Sequence, residues 1–140
     1  MRAERRVKRA LTPVTTPQTR RWLIARRNGV VSAAATVRGA GRQQRLRPSF
    51  VIAGVQKGGT TYLYQELVRH PQVLPSLTKE VHYFSDGYSH GPSWYRGFFP
   101  LAPSPHDGPA TMTGEASPGY LFHPWFPSRV IRISPTSGSS

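Results

Sequence analysis

The stretch Phe50-Val51-Ile52-Ala53-Gly54-Val55-Gln56-Lys57-Gly58-Gly59-Thr60-Thr61 passes from an apolar run, through a lysine and two glycines, to two hydroxyl residues. A short, nearly all-apolar and β-branched run is the pattern of a parallel strand buried on both faces, so Ser49 to Val55 is expected to form one. Glycines directly after such a strand let the backbone approach an anion closely, and the N–H groups that open the next helix point at it. Lys57 adds a compact positive charge, and Thr60 and Thr61 add hydroxyl donors. The order differs from the nucleoside-triphosphate loop G-x-x-x-x-G-K-[ST], where the lysine follows the second glycine. Here Lys57 precedes Gly58 and Gly59, which disfavours ATP or GTP hydrolysis and leaves an oxyanion-binding turn of another kind.

Working outward, Thr60 or Thr61 is expected to cap a helix in which Leu63, Tyr64, Leu67 and Val68 share a face. His70-Pro71 ends it, because the residue before proline is pushed out of helical geometry. Glu80 to Phe84 alternates as a second short strand would, with Val81 and Tyr83 on one face and Glu80, His82 and Phe84 on the other. A carboxylate in such a run is costly unless paired or used, which marks Glu80; a surface ion pair with Lys79 is the plainer account of it. For His82 a structural role weighs as much as a chemical one. Ser85 to Gly91 reads as a loop, Trp94 to Phe99 as an aromatic helical turn, and Pro100 to Pro109 as irregular. Tyr88, Trp94, Tyr95 and Tyr120 have faces that stack on a sugar or pack in a core. His90, His106 and His123 lack ligand spacing, so no metal site is expected.

Charge divides the 140 residues into two regions. Residues 1–48 carry thirteen of the nineteen Lys and Arg and a single acid, Glu4, whereas the remainder is close to balanced. The high net charge therefore belongs to an arm, expected to be a mostly disordered basic leader apart from a helical turn or two within Trp22 to Val37. Residues 49–134 form the folded part and 135–140 a disordered tail. Arg26 and Arg27 interrupt the apolar content of the arm, so no transmembrane span is expected. They also argue against reading Arg20-Arg21-Trp22-Leu23-Ile24 as a twin-arginine export signal. With no cysteine there is no disulfide framework, and cytoplasmic residence is the expectation.

The order Val55-Gln56-Lys57-Gly58-Gly59-Thr60-Thr61 resembles the 5′-phosphosulfate loop of sulfotransferases, in particular the heparan sulfate and related carbohydrate branch. His70-Pro71-Gln72-Val73, Lys79-Glu80-Val81-His82-Tyr83-Phe84 and Gly114-Glu115-Ala116-Ser117-Pro118-Gly119-Tyr120-Leu121 follow in the order of that family's motifs, with Tyr88-Ser89-His90-Gly91, Trp94-Tyr95 and Phe99-Pro100 between them. The resemblance covers about Phe50 to Arg129. It implies the N-terminal portion of a P-loop-like, doubly wound α/β sheet and transfer of a sulfuryl group from 3′-phosphoadenosine 5′-phosphosulfate (PAPS) to a hydroxyl of a carbohydrate or other small acceptor, without a metal. It further implies that Gln56, Lys57, Gly58, Gly59, Thr60 and Thr61 hold the donor. Lys57 would stabilise the leaving phosphate, Glu80 would act as base with His82 beside it, and Glu115, Ser117, Trp94 and Tyr95 would line the acceptor site. Ala116 stands where several animal heparan sulfate enzymes carry a lysine, which leaves acceptor identity open.

The family segment resembling Leu-Arg-[DN]-Pro-x-x-Arg-x-x-Ser, which implies the 3′-phosphate site, does not occur after Pro127-Ser128-Arg129-Val130. The expectation is a truncated copy, its tail Pro135 to Ser140 produced by a one-nucleotide frameshift, with activity open and only marginal stability. Two other readings stand beside it: a basic polyanion or nucleic-acid-binding protein acting through residues 1–48, and an inactive remnant. No nucleic-acid-binding motif is present, so nucleic acid is not the expected partner.

Overall fold

The computed structural model describes residues 17–104 and 111–133. The expected disordered segments at 1–16 and 135–140 lie outside the described residues. β1 (Phe50–Ile52), β2 (Val73–Pro75) and β3 (Met112–Ala116) form a parallel sheet in the order β1-β3-β2. β3 takes the centre because Phe50 pairs with Gly114 on one side while Val73 pairs with Met112 on the other. Gly114 suits that place, since a Cβ there would lie 2.4 Å from Phe50 O. The chain leaves β1 through the glycine-rich turn into α2 (Thr60–Val68) and returns to the sheet as β2. The small parallel sheet is what the apolar run before the glycines predicts, but β1 covers only Phe50–Ile52 instead of Ser49 to Val55, and it is half-buried instead of buried on both faces because it lies at the edge of the sheet.

Two expectations about local structure are corrected. Glu80 to Phe84 is not a strand: the segment runs into turns, and His82 adopts a left-handed backbone with φ 55°. Its amides are taken by the side chains of Ser117 and Tyr120 instead of a neighbouring strand. Phe84 accordingly joins Val81 and Tyr83 in the interior, while Glu80 and His82 remain at the surface. The N-cap of α2 is Gly59, at φ 79° and without a side-chain capping bond, rather than Thr60 or Thr61. Tyr64 is buried on α2 whereas Leu63 is exposed.

The basic arm is also corrected over part of its length. α1 spans Pro17–Ala40 and packs against α3 (Gly91–Arg96). Close approach of the backbones drives this: a Cβ on Gly39 would lie 1.9 Å from Ser93 O, and one on Gly97 would lie 1.9 Å from Ala35 O. Ala35 is fully buried in the same core as Tyr83, Phe84, Trp94, Tyr95, Phe98, Phe99 and Tyr120. Arg38 and Arg45 donate to Phe99 O at 3.2 and 2.9 Å, fastening the segment after α1 to the same body. Residue 48 therefore does not separate a packed body from an arm. The core itself is aromatic, with Tyr83 stacked on Tyr95 at 4.3 Å and Tyr120 on Phe126 at 4.9 Å; Phe126 opens α4 (Phe126–Ile131).

Candidate active site

The turn between β1 and α2 is shaped by steric necessity. A Cβ on Gly54 would meet Thr60 Cγ2 at 2.1 Å, and one on Gly58 would meet Val55 Cγ2 at 2.7 Å. Gly58 N donates to Val55 O at 3.0 Å, Lys57 turns the chain at φ 63°, and Gly59 follows in the left-handed region that favours glycine. Nothing lies within 4 Å of where a Cβ on Gly59 would sit, so the turn opens to solvent there. The first backbone bond of α2 runs from Leu63 N to Gly59 O at 3.0 Å. The N–H groups before Leu63 precede it and are the helix-opening donors that suit an anion. Gln56, Lys57, Gly58, Gly59 and Thr61 are exposed on this turn, and Thr60 is buried beneath it.

A chain of polar contacts leads from the turn to the carboxylate picked out by the sequence. Lys79 Nζ donates to Thr61 Oγ1 at 2.7 Å and sits 2.7 Å from Glu80 Oε1, while Glu80 Oε2 lies 3.4 Å from His82 Nε2. Partial burial acts to raise the Glu80 carboxyl, but the Lys79 ammonium and then His82 outweigh it and hold the group below the usual carboxylate range. Lys79, which the sequence offered only as a surface partner, is thus the link between the glycine turn and the Glu80–His82 pair. Lys57 is on the turn, and its side chain is not part of that chain of contacts.

Glu115, Ser117 and Tyr95 do not line an open acceptor surface. All three are buried. Glu115 Oε1 accepts from the Tyr95 and Tyr120 hydroxyls, each at 2.9 Å, and Oε2 accepts from Ser117 Oγ at 2.5 Å and Val81 N at 3.2 Å. Ser117 Oγ in turn accepts from Val81 N and His82 N, each at 3.0 Å, and the Tyr120 hydroxyl accepts from Phe84 N at 3.3 Å. Burial pushes the Glu115 carboxyl up, against the opposing influence of these donors. The cluster therefore braces the backbone that carries Glu80 and His82 from behind. Arg129 Nη1 adds a second brace by donating to Phe84 O at 2.8 Å and Ser85 O at 3.1 Å. The spacing of an acid at the end of β3 and hydroxyls just beyond it was the available signal for this brace, but it does not distinguish a buried support from a ligand surface.

A cleft of about 550 Å³ opens beside Glu80 and His82. Trp94 lines it, as do Lys79, Asp86 and five residues of α1: Ile24, Arg27, Asn28, Val31 and Ser32. Trp94 Nε1 donates to Ser32 Oγ at 3.1 Å, so its indole is held by α1. Among the described residues, no group of three or more His, Asp or Glu is placed to hold a metal ion.

No protein-family profile matches the chain. Individual proteins do. Over 96 residues, 69% of this chain, it is 40% identical to heparan sulfate glucosamine 3-O-sulfotransferase 6 of Mus musculus, covering 26% of that protein. It is 36% identical over 77 residues to membrane-associated sulfotransferase kil1 of Dictyostelium discoideum, covering 55% of this chain and 16% of the relative. It is 35% identical over 94 residues to bifunctional heparan sulfate N-deacetylase/N-sulfotransferase 3 of Homo sapiens, covering 63% and 10%. The chain thus spans about a quarter or less of the length of these relatives. The expected cytoplasmic residence is overturned by this kinship: one relative is membrane-associated by name, and others are named for heparan sulfate. No helix among the described residues is long and apolar enough to cross a membrane.

Proposed function

Because this chain belongs to the sulfotransferase family, we propose that its glycine turn binds the donor PAPS and that the adjoining cleft takes a carbohydrate hydroxyl as acceptor. The sheet is then the N-terminal portion of a P-loop-like, doubly wound arrangement. The donor supplies the sulfuryl group. The turn's N–H groups and the exposed Thr61 hydroxyl hold phosphate oxygens, with Gln56 at the rim and Thr60 supporting the turn from beneath, and the exposed Lys57 ammonium offsets the negative charge that grows on the departing phosphate. Glu80, held ionised by Lys79 and His82, accepts the proton of the attacking hydroxyl. Trp94 offers an aromatic edge to the sugar, while Glu115, Ser117 and Tyr95 fix the backbone behind Glu80.

The observation that carries this reading is the contact chain Thr61–Lys79–Glu80–His82, which joins the glycine turn to the Glu80–His82 pair. Calorimetry with 3′-phosphoadenosine 5′-phosphate, the desulfated donor product, tests it. Wild type is expected to bind and Lys57→Ala to bind at least about tenfold more weakly, as loss of a charge-assisted contact implies. Equal affinity of the two proteins would remove the functional claim for the turn.

A further inference from the structure

α1 is unusual among the described elements in being rich in arginine and free of acids: Arg20, Arg21, Arg26, Arg27 and Arg38 lie on it with no Asp or Glu. Its inner side does not pack entirely into the core. Ser32 and Ala35 seat the helix against α3 and Trp94, whereas Ile24, Arg27 and Asn28, one and two turns earlier, are exposed and line the cleft that also contains Glu80 and His82. The positions 24, 28, 31, 32 and 35 fall on one helical face, and Arg27 stands at its edge. The helix is held in that place by main-chain contact at Gly39 and Gly97, so the position of Arg27 follows from the backbone and not from the arginine itself.

The charges of the cleft are unevenly committed. Lys79 is engaged with Glu80 and Thr61. Glu80 and Asp86 contribute negative charge, and Arg27 is the arginine that lines the cleft beside them. Asn28 adds an amide able both to donate and to accept. A ligand entering here with its hydroxyl toward Glu80 reaches α1 with its other substituents.

We propose that α1 is part of the acceptor site, with Arg27 and Asn28 binding an anionic substituent of the sugar, a carboxylate or a sulfate, and so fixing which hydroxyl faces Glu80. This rests on the sulfotransferase reading of the cleft and adds to it a wall drawn from outside the sheet and its following helices. A guanidinium suits the task because it presents a planar pair of donors to either oxyanion. Asp86 sits in the same cleft and opposes such a ligand, which sharpens the orientation it can adopt.

The test measures binding of a fully sulfated, uronate-containing hexasaccharide and of its desulfated, carboxyl-reduced counterpart to wild type, Arg27→Ala, Asn28→Ala and Arg21→Ala. Arg21 lies on α1 outside the cleft lining and carries the same charge. Binding of 3′-phosphoadenosine 5′-phosphate and the thermal midpoint are recorded on each protein. Arg27→Ala is expected to weaken the anionic hexasaccharide about tenfold, as loss of a hydrogen bond to a charged group implies. Asn28→Ala should weaken it less and Arg21→Ala little, and donor-product affinity and thermal midpoint should be unchanged throughout. Asp86→Asn is expected to strengthen it. Equal losses from Arg21→Ala and Arg27→Ala, equal binding of the neutral counterpart, or no binding of the hexasaccharide to wild type would each overturn the proposal. In that last case, persistence of Lys57-dependent donor-product binding leaves the function of the turn standing, whereas its absence removes that reading as well.

Discussion

Ser117 Oγ accepts the backbone N–H of His82 at 3.0 Å, which ties the end of β3 to a residue held in the left-handed region at φ 55°. Such a conformation costs a non-glycine residue on the order of 1–3 kcal/mol and persists only where surrounding structure imposes it. The same hydroxyl accepts from Val81 N and donates to Glu115, so one side chain serves the two amides that follow Glu80.

Ser117→Ala should therefore leave Val81 N with only its 3.2 Å bond to Glu115 and His82 N without an acceptor. Stranding a buried donor costs about 1–3 kcal/mol. Chemical denaturation of wild type and variant measures this, and a difference below about 0.5 kcal/mol, the usual size of a neutral surface change, would mean that the segment is not held from behind.

Glu115 makes stability depend on pH in a definite direction. Its folded value lies above the ordinary 4.5, chiefly through burial, so its contribution is fully present below that ordinary value and is lost as pH rises through the raised one. Glu115→Gln removes the ionisation while keeping the shape. Wild type should lose stability relative to the variant on going upward from about pH 4.5, read as thermal midpoints across a pH series. Parallel curves for the two proteins would show that the buried carboxyl titrates as it does in the unfolded chain.

Lys79→Met acts on the other carboxyl with the opposite sign. Glu80 is held below its ordinary value, so its contribution is present above that value and is lost as pH falls through the lowered one. Removing the ammonium should shift the Glu80 titration upward, observed by side-chain carbonyl NMR, while global stability changes little because the carboxylate left behind is exposed and is taken up by water. An unmoved titration would detach Lys79 from the charge state of the candidate base.

Gly97→Ala examines how α1 is seated. The residue has φ −59°, a conformation alanine adopts freely, so any cost comes from the Cβ 1.9 Å from Ala35 O. Overpacking of this kind typically costs about 1–3 kcal/mol. The thermal midpoint should fall and hydrogen exchange of the α1 amides should quicken; unchanged exchange would mean that α1 does not depend on this crossing.

The opening strand, its turn and α2 were legible because each requirement leaves a residue-level trace: an apolar, β-branched run for the strand, glycines at 54 and 58 where side chains do not fit, and Gly59 where the backbone turns left-handed. Glu80 and His82 do fall together, but on a turn and not on one face of a strand. Alternation over Glu80 to Phe84 imitates a strand, whereas the actual partners of its amides are Ser117 and Tyr120, more than thirty positions away. β2 was hidden by its own Pro75 and by the proline that ends α2. α1 was hidden by Gly29 and Gly39, which lower helix propensity; Gly39 is there because α3 passes too close for any side chain.

Where main chain rests on main chain, as at Gly39 and Gly97, no rotamer can give way. The gap between α1 and the Glu80–His82 segment is consequently set by a rigid stop, much as a caliper is set by its frame. On the proposed reading, discrimination among ligands of different girth then falls to the exposed outer groups, Ile24, Arg27 and Asp86, whose rotamers do not set the jaw itself.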